Sequence, residues 1–154
     1  MPTGRTEIPL EIRSLDNEWT FTLVVTATDT EHYPGVGVSV VVDGEISVSS
    51  SAVSYEYHDI VDFVSALRQV ESARAGDASL DAISLDGCSI RIECVGSVGN
   101  ILLHIDMYLD RRFPEAAGEA RNTVSVTFEV DRSMFHEIIS DFSKLATVCR
   151  PTTH

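Results

Sequence analysis

The chain has 154 residues, of which 44% are hydrophobic and 23% charged. That length suits one compact domain, and that composition excludes collagen-like, coiled-coil and wholly disordered classes. Eleven Lys and Arg stand against 24 Asp and Glu, a formal charge of -13, which repels nucleic-acid phosphates and anionic membranes and suits a basic protein partner.

The alternating stretch that opens the chain puts Ile8, Leu10 and Ile12 on one face and Glu7, Glu11 and Arg13 on the other, the pattern of a half-buried strand. No apolar run follows a basic segment in Met1 to Glu7, so no signal peptide is read there. After Asp16-Asn17-Glu18, a second strand is predicted with Trp19, Phe21, Leu23, Val25 and Ala27 facing one way and Thr20, Thr22, Thr26 and Thr28 the other. His32-Tyr33-Pro34-Gly35 predicts a turn. Val36, Val38, Val40 and Val42 then alternate up to Asp43-Gly44, a two-residue hairpin signal, and Ile46, Val48 and Ser50 follow.

At Tyr57 the period changes. Ile60, Phe63, Val64, Leu67 and Val70 fall on one side of a helix, with Gly76 as its expected stop. A short strand is predicted around Ala82 to Leu85, then a second hairpin at Asp86-Gly87, then alternation of Cys88, Ile90, Ile92 and Cys94 with Ser89, Arg91 and Glu93. Gly96-Ser97-Val98-Gly99-Asn100 turns the chain into Ile101, Leu103, Ile105, Met107 and Leu109, with His104, Asp106 and Tyr108 opposite. Arg111 to Arg121 lacks periodicity and reads as the longest loop. Val124, Val126, Phe128 and Val130 form a last strand, Asp131 is a natural N-cap, and Phe135, Ile138, Ile139, Phe142, Leu145 and Ala146 make a second helical stripe.

The order predicts an α+β fold, β4-α-β4-α. It consists of a largely antiparallel, curved sheet of about seven to eight strands with two amphipathic helices packed on it. Residues 1–149 are expected to form a single domain and residues 150–154 a frayed tail. The two helices share a rough pattern from His58-Asp59-Ile60-Val61 and from His136-Glu137-Ile138-Ile139. Either an internal repeat or shared amphipathic periodicity accounts for it.

Cys88, Cys94 and Cys149 are odd in number and lack the spacing of a disulfide framework. Cys88 and Cys94 lie on one predicted strand about 20 Å apart, beyond disulfide reach. Reduced, unreactive buried thiols and a cytoplasmic location are expected. No run approaches the ~20 apolar residues of a membrane span.

Chemistry-bearing patterns are sparse. His32, His58, His104, His136 and His154 form no His-x-His or His-Glu-x-x-His arrangement, and no Cys-x-x-Cys occurs, so no metal site is expected. His58 and Asp62 sit one helical turn apart, a spacing that usually marks a solvated pair. His104 and Asp106 share a strand face, where an acid-base pair needs an enclosing cleft. Ser49, Ser50, Ser51 and Ser54 have no Gly-x-Ser-x-Gly around them. Gly35-Val36-Gly37 leads into a strand where a phosphate-binding loop needs a helix N-terminus. No cofactor and no enzymatic activity are expected.

Asp16-Asn17-Glu18-Trp19 resembles the "d-x-x-W" segment that opens a strand in the WapI family of bacterial immunity proteins. Asp59-Ile60-Val61-Asp62-Phe63-Val64-Ser65-Ala66-Leu67 is similar to that family's central helix, with Phe63 where an aromatic stands. Ile83 to Ile105 and Val124 to Phe142 are similar to its later strands and closing helix. The likeness covers the chain from about Glu7 to Val148, and none of its motifs is catalytic. The segment from Asp110 to Asn122 and Ser49-Ser50-Ser51 depart from the family's pattern.

The resemblance implies a cytoplasmic, non-catalytic antidote that occludes a toxin domain. Tyr55, Tyr57, Asp59, Asp62 and Tyr108 are the expected partner contacts, since aromatics and acids gather there. The partner expected is a basic protein, with no nucleic acid and no membrane, and the chain itself a monomer or dimer. The alternative is a small-ligand-binding or scaffolding domain.

Overall fold

Alternating β-branched and hydroxyl residues form strands, and the two stripes of period 3.6 form helices, in the computed structural model, which describes residues 9–83, 87–96, 99–110 and 121–152. Strands β1 (Pro9–Arg13), β2 (Thr20–Asp29), β3 (Gly35–Asp43) and β4 (Ser47–Glu56) precede α1 (Tyr57–Ala73). Strands β5 (Gly76–Leu80), β6 (Cys88–Val95), β7 (Asn100–Asp110) and β8 (Arg121–Val130) precede a 3-10 turn over Arg132–Met134 and α2 (Phe135–Val148).

The molecule is α+β with antiparallel sheets, but the one sheet expected from the sequence is two four-stranded meanders, β1-β2-β3-β4 and β5-β6-β7-β8. Consecutive strands pair within each half, whereas the excursion through α1 separates β4 from β5. Backbone bonds stitch the halves together, two of them beside the strands. Ile83 N–H donates to the Ser54 carbonyl on β4 at 2.9 Å, and Leu15 N–H donates to the Glu129 carbonyl on β8 at 2.8 Å.

The connection from β1 to β2 is held by its own side chains. The Ser14 hydroxyl donates to Asp16 at 2.6 Å and accepts from the Trp19 N–H at 2.9 Å, while Asp16 also accepts from the Glu18 N–H. These bonds, the Ser14 hydroxyl first, hold the Asp16 carboxyl below its ordinary range. Trp19 is thereby laid over Gly44, where an added Cβ would run into the indole ring. The Asp43-Gly44 pair accordingly does not close a two-residue hairpin. Asp43 pairs with Ser47, residues 44–46 form the loop, and Gly44 N–H donates to the Ile46 carbonyl.

Two bulges reset which residues face inward. In β2 the register shifts between Val25 and Ala27, so Phe21 and Leu23 are buried while Ala27, expected inward, is exposed. Between β3 and β4 it shifts at Val38/Val40. Val48 and Ser50 pair with Val42 and Val40, but the next inward pair is Val53 with Val38 and then Tyr55 with Val36. One extra residue flips the alternation, and Tyr55 turns into the core.

Helix α1 buries Ile60, Phe63, Val64, Leu67 and Val70, and α2 buries Phe135, Ile138, Ile139, Phe142 and Leu145. A single constant offset maps the first set onto the second, and the same offset carries the inward strand residues Val53 and Tyr55 onto Phe128 and Val130. The strand-to-helix junction is therefore built twice. This alignment differs from the His58/His136 pairing suggested by the sequence. With the four-strand meander ahead of each junction, it favours an internal repeat over shared periodicity alone. The helices meet edge to face through Phe63 and Phe142, ring centroids 4.9 Å apart at 83°. Both helices and both sheets feed one cluster of buried apolar side chains.

Helix α1 stops earlier than the expected Gly76. Arg74 takes the left-handed conformation (φ 55°), and its N–H donates to the Val70 carbonyl, so Gly76 instead opens β5. That strand was not anticipated. Of the strand expected over residues 82–85, Ala82 and Ile83 are described, and they lie outside any ladder, with Ile83 bonded to β4. The hairpin expected at Asp86-Gly87 lies outside the described residues at Asp86, as do residues 1–8, Ser97, Val98 and residues 111–120 of the loop expected over 111–121, whose last residue, Arg121, instead opens β8. Asp131 caps as expected, accepting the Ser133 N–H at 3.0 Å, although the turn it caps is the 3-10 turn ahead of α2. The tail expected to fray is tied down at Thr152, whose N–H and hydroxyl both donate to the Thr30 carbonyl. Residues 153–154 lie outside the described residues.

Gly44→Ala is expected to destabilise the fold by about 1–3 kcal/mol through the forced displacement of Trp19. Gly37→Ala, whose added Cβ meets neighbours at 3.5 Å and beyond, is expected to be neutral or stabilising. Urea unfolding midpoints of the two variants check the contrast.

Candidate functional site

The five residues expected to contact a partner do not share one surface. Tyr55 is 0% exposed, and its hydroxyl donates to the Cys88 carbonyl at 2.5 Å, bridging the first sheet to the second. Tyr55 is therefore a core residue, and its assignment as a contact is corrected by the bulge that turns it inward. Tyr108 is 39% exposed on the outward face of β7, whose inward residues Ile105 and Met107 belong to the core that α1 also joins. That places Tyr108 away from the helix surface. Asp59 and Asp62 are exposed on the first turns of α1, whereas the half-buried Tyr57, whose ring stands edge to face with His58 at 5.4 Å, lies on the other flank of the buried stripe, facing α2. Only Asp59 and Asp62 remain together, one helical turn apart.

The helix pair forms a groove. Tyr57, Val61, Val64, Ser65 and Arg68 from α1 face Ser143, Ala146 and Thr147 from α2, with Arg150 just beyond it, around about 270 Å3. The seam continues past Arg68 and Ser143 to Glu71, His136, Ile139 and Ser140. The start of α1 lies beside the end of α2 and the reverse, so the helices run antiparallel. Among the described residues two polar contacts cross the seam: Arg68 donates to the Ser143 hydroxyl at 3.4 Å, and His136 stands 3.8 Å from Glu71. Arg68, Ser143, Thr147 and Arg150 were not singled out in the sequence. They recur at helical spacing beside each apolar stripe, but only the antiparallel pairing brings the two sets together.

The outward face of the second sheet carries a polar chain across its four strands. Asp77 on β5 and Glu93 on β6 flank Arg91 at 3.7 and 3.5 Å. Glu93 reaches His104 Nε2 on β7 at 3.1 Å, and His104 Nδ1 meets the Thr127 hydroxyl on β8 at 2.9 Å. His104 is thus engaged with Glu93 and Thr127, not with Asp106. His104 stands opposite Arg91 and Thr127 in register, and Asp106 stands opposite Ser89 and Ser125.

Cys88, Cys94 and Cys149 are free and buried. Burial pushes the Cys88 thiol up to about 12 and the Cys149 thiol up to about 11, and it raises the Tyr55 phenol well above 10.0. Such thiols are poor nucleophiles at neutral pH. Among the described residues, no group of three or more His, Cys, Asp or Glu is placed to hold a metal ion, and no helix is long and apolar enough to cross a membrane.

Comparison with protein-family models, with curated proteins and with solved structures finds no match.

Tyr55→Phe is expected to cost about 1–2 kcal/mol by leaving the Cys88 carbonyl without its cross-sheet donor, read from the urea midpoint. A pH dependence follows from the thiols. The unfolded chain sheds these protons near 9.0, before the folded chain does near 11 and 12, so stability is full below about pH 9 and falls as pH climbs towards 12. The urea midpoint is expected to drop between about pH 8 and about pH 10.5, less so in Cys88→Ala.

Proposed function

We propose that the chain is a non-catalytic protein-binding module of the bacterial immunity type, which neutralises a basic toxin domain by covering its active site or its substrate-binding surface. The observation that carries this reading is the pair of exposed carboxylates Asp59 and Asp62, which have no paired cation among the described residues, in a chain of formal charge -13. A carboxylate without a partner has no ion pair to give up when it meets a lysine or arginine across an interface. The surrounding negative field raises the encounter rate with a basic partner. Tyr57, at the start of the same helix but on its other flank, adds an amphipathic aromatic of the kind enriched in interface cores. Occlusion needs no turnover, and an interface of roughly 1,200–2,000 Å2 suffices.

The resemblance to the WapI family supports the same reading and rests on framework positions. Asp16 and Trp19 organise a loop, and Ile60, Phe63 and Leu67 fill the core. Framework positions preserve a fold while leaving the contact surface free to match a particular toxin. Three buried free thiols fit a reducing, cytoplasmic compartment.

Capture from the host lysate at low and moderate salt, followed by mass spectrometry, is expected to return one basic, toxin-like protein whose toxicity this chain suppresses. With that partner, Asp59→Asn/Asp62→Asn is expected to lower the association rate about three- to tenfold and to flatten its salt dependence. An unchanged rate in stopped-flow mixing removes the α1 surface from the interface.

A further inference from the structure

We propose that the groove between α1 and α2 is a binding site for a small amphipathic carboxylate, its anionic head held by Arg68 and Arg150 and its short apolar body laid over Val61 and Ala146. This site shares Tyr57 with the proposed partner surface but does not rest on that reading.

The charge pattern is the first observation. In a chain with 24 acidic side chains against 11 basic ones, an arginine has an abundance of carboxylates to pair with. Arg68 instead donates to a neutral hydroxyl, Ser143, at 3.4 Å, and the Arg150 side chain has no partner among the described residues. Both line one groove, and no carboxylate lines it with them. Two uncompensated guanidiniums facing one cleft form a local positive site in a negative molecule. Guanidinium groups match the planar geometry of a carboxylate.

Donor accounting points the same way. The Ser143 and Thr147 hydroxyls spend their protons on the Ile139 and Ser143 carbonyls at 2.9 and 3.0 Å. The groove's available donors are therefore the two arginines, the Ser65 hydroxyl and the Tyr57 hydroxyl, a set suited to an acceptor-only head group. Val61, 37% exposed, and Ala146 give the cleft an apolar wall.

Size and boundary define the ligand further. About 270 Å3 falls below the ~300–1,000 Å3 of drug-sized sites, so the ligand is a short-chain or single-ring acid. Past Arg68 and Ser143 the seam continues into a cleft of about 450 Å3, where the Glu71 carboxylate beside His136 repels an anionic head and leaves it at the Arg68–Arg150 end.

Titration of the 15N-labelled protein with hexanoate, and separately with benzoate, tests the site. Saturable amide shifts are expected at Val61, Ser65, Arg68, Thr147 and Arg150, with a dissociation constant on the order of 1 mM. Hexanamide, of the same shape without the charge, is expected to bind at least about fivefold more weakly. Arg68→Gln and Arg150→Gln are each expected to weaken hexanoate by a similar factor with an unchanged circular dichroism spectrum, and Arg91→Gln, on the outward face of the second sheet, is expected to leave binding intact. Equal binding of hexanoate and hexanamide, shifts centred elsewhere, unaltered affinity in both groove variants, or no saturable shift with either acid overturns the proposal.

Discussion

The edge-to-face contact of Phe63 with Phe142 is where two β4α halves become one molecule. A four-stranded antiparallel meander with one amphipathic helix has more apolar surface than its own helix covers, because the helix stripe is narrow and the sheet face is broad. Pairing the helices antiparallel along this contact lets both sheets and both helices drain into a single core. The Tyr55 hydroxyl on the Cys88 carbonyl and the backbone bonds at Ser54 and Glu129 then fix how the sheets meet. Their polar groups are satisfied at the join, so burial there leaves no orphaned donor.

Carboxylates in this chain do two different jobs. Asp16 and Asp131 each accept backbone N–H bonds, and Asp29 accepts three, from Glu31, His32 and Tyr33. All three are held below the ordinary carboxylate range, Asp16 by the Ser14 hydroxyl first and then the Glu18 N–H, Asp29 and Asp131 by their backbone bonds. These acids punctuate the loops, and part of the net charge is the electrostatic residue of turn chemistry. Asp59 and Asp62 make no such bonds among the described residues. The distinction separates acidity that shapes the fold from acidity left over for a partner.

Much of the fold was legible because its signals are local. The Val36-to-Val42 and Cys88-to-Cys94 alternations and both helical stripes are buried as their periods require. β5 escaped because Gly76-Asp77-Ala78-Ser79-Leu80 offers only Ala78 and Leu80 as an inward pair and opens on a glycine that mimics a helix stop. The division into two sheets escaped because periodicity states which face is buried, not which strand lies alongside. Tyr55 was misplaced for a third reason. Extending the alternation from Val48 and Ser50 puts it outward, and only the bulge, written in the hydrogen-bond register, reverses it. The groove was hidden likewise, since one of its arginines lies on α1 and the other just past the end of α2.

The doubled architecture also has a temporal side. Residues through Ala73 leave the ribosome as a complete β4α unit, whose contacts are sequential and quick to form. That unit then waits with the Phe63 side of α1 uncovered until α2 arrives with Phe142. A second nascent chain in the same state carries an identical uncovered helix. Exchange of α2 between neighbouring chains, closing each core with the other's helix, is the misassembly this architecture invites.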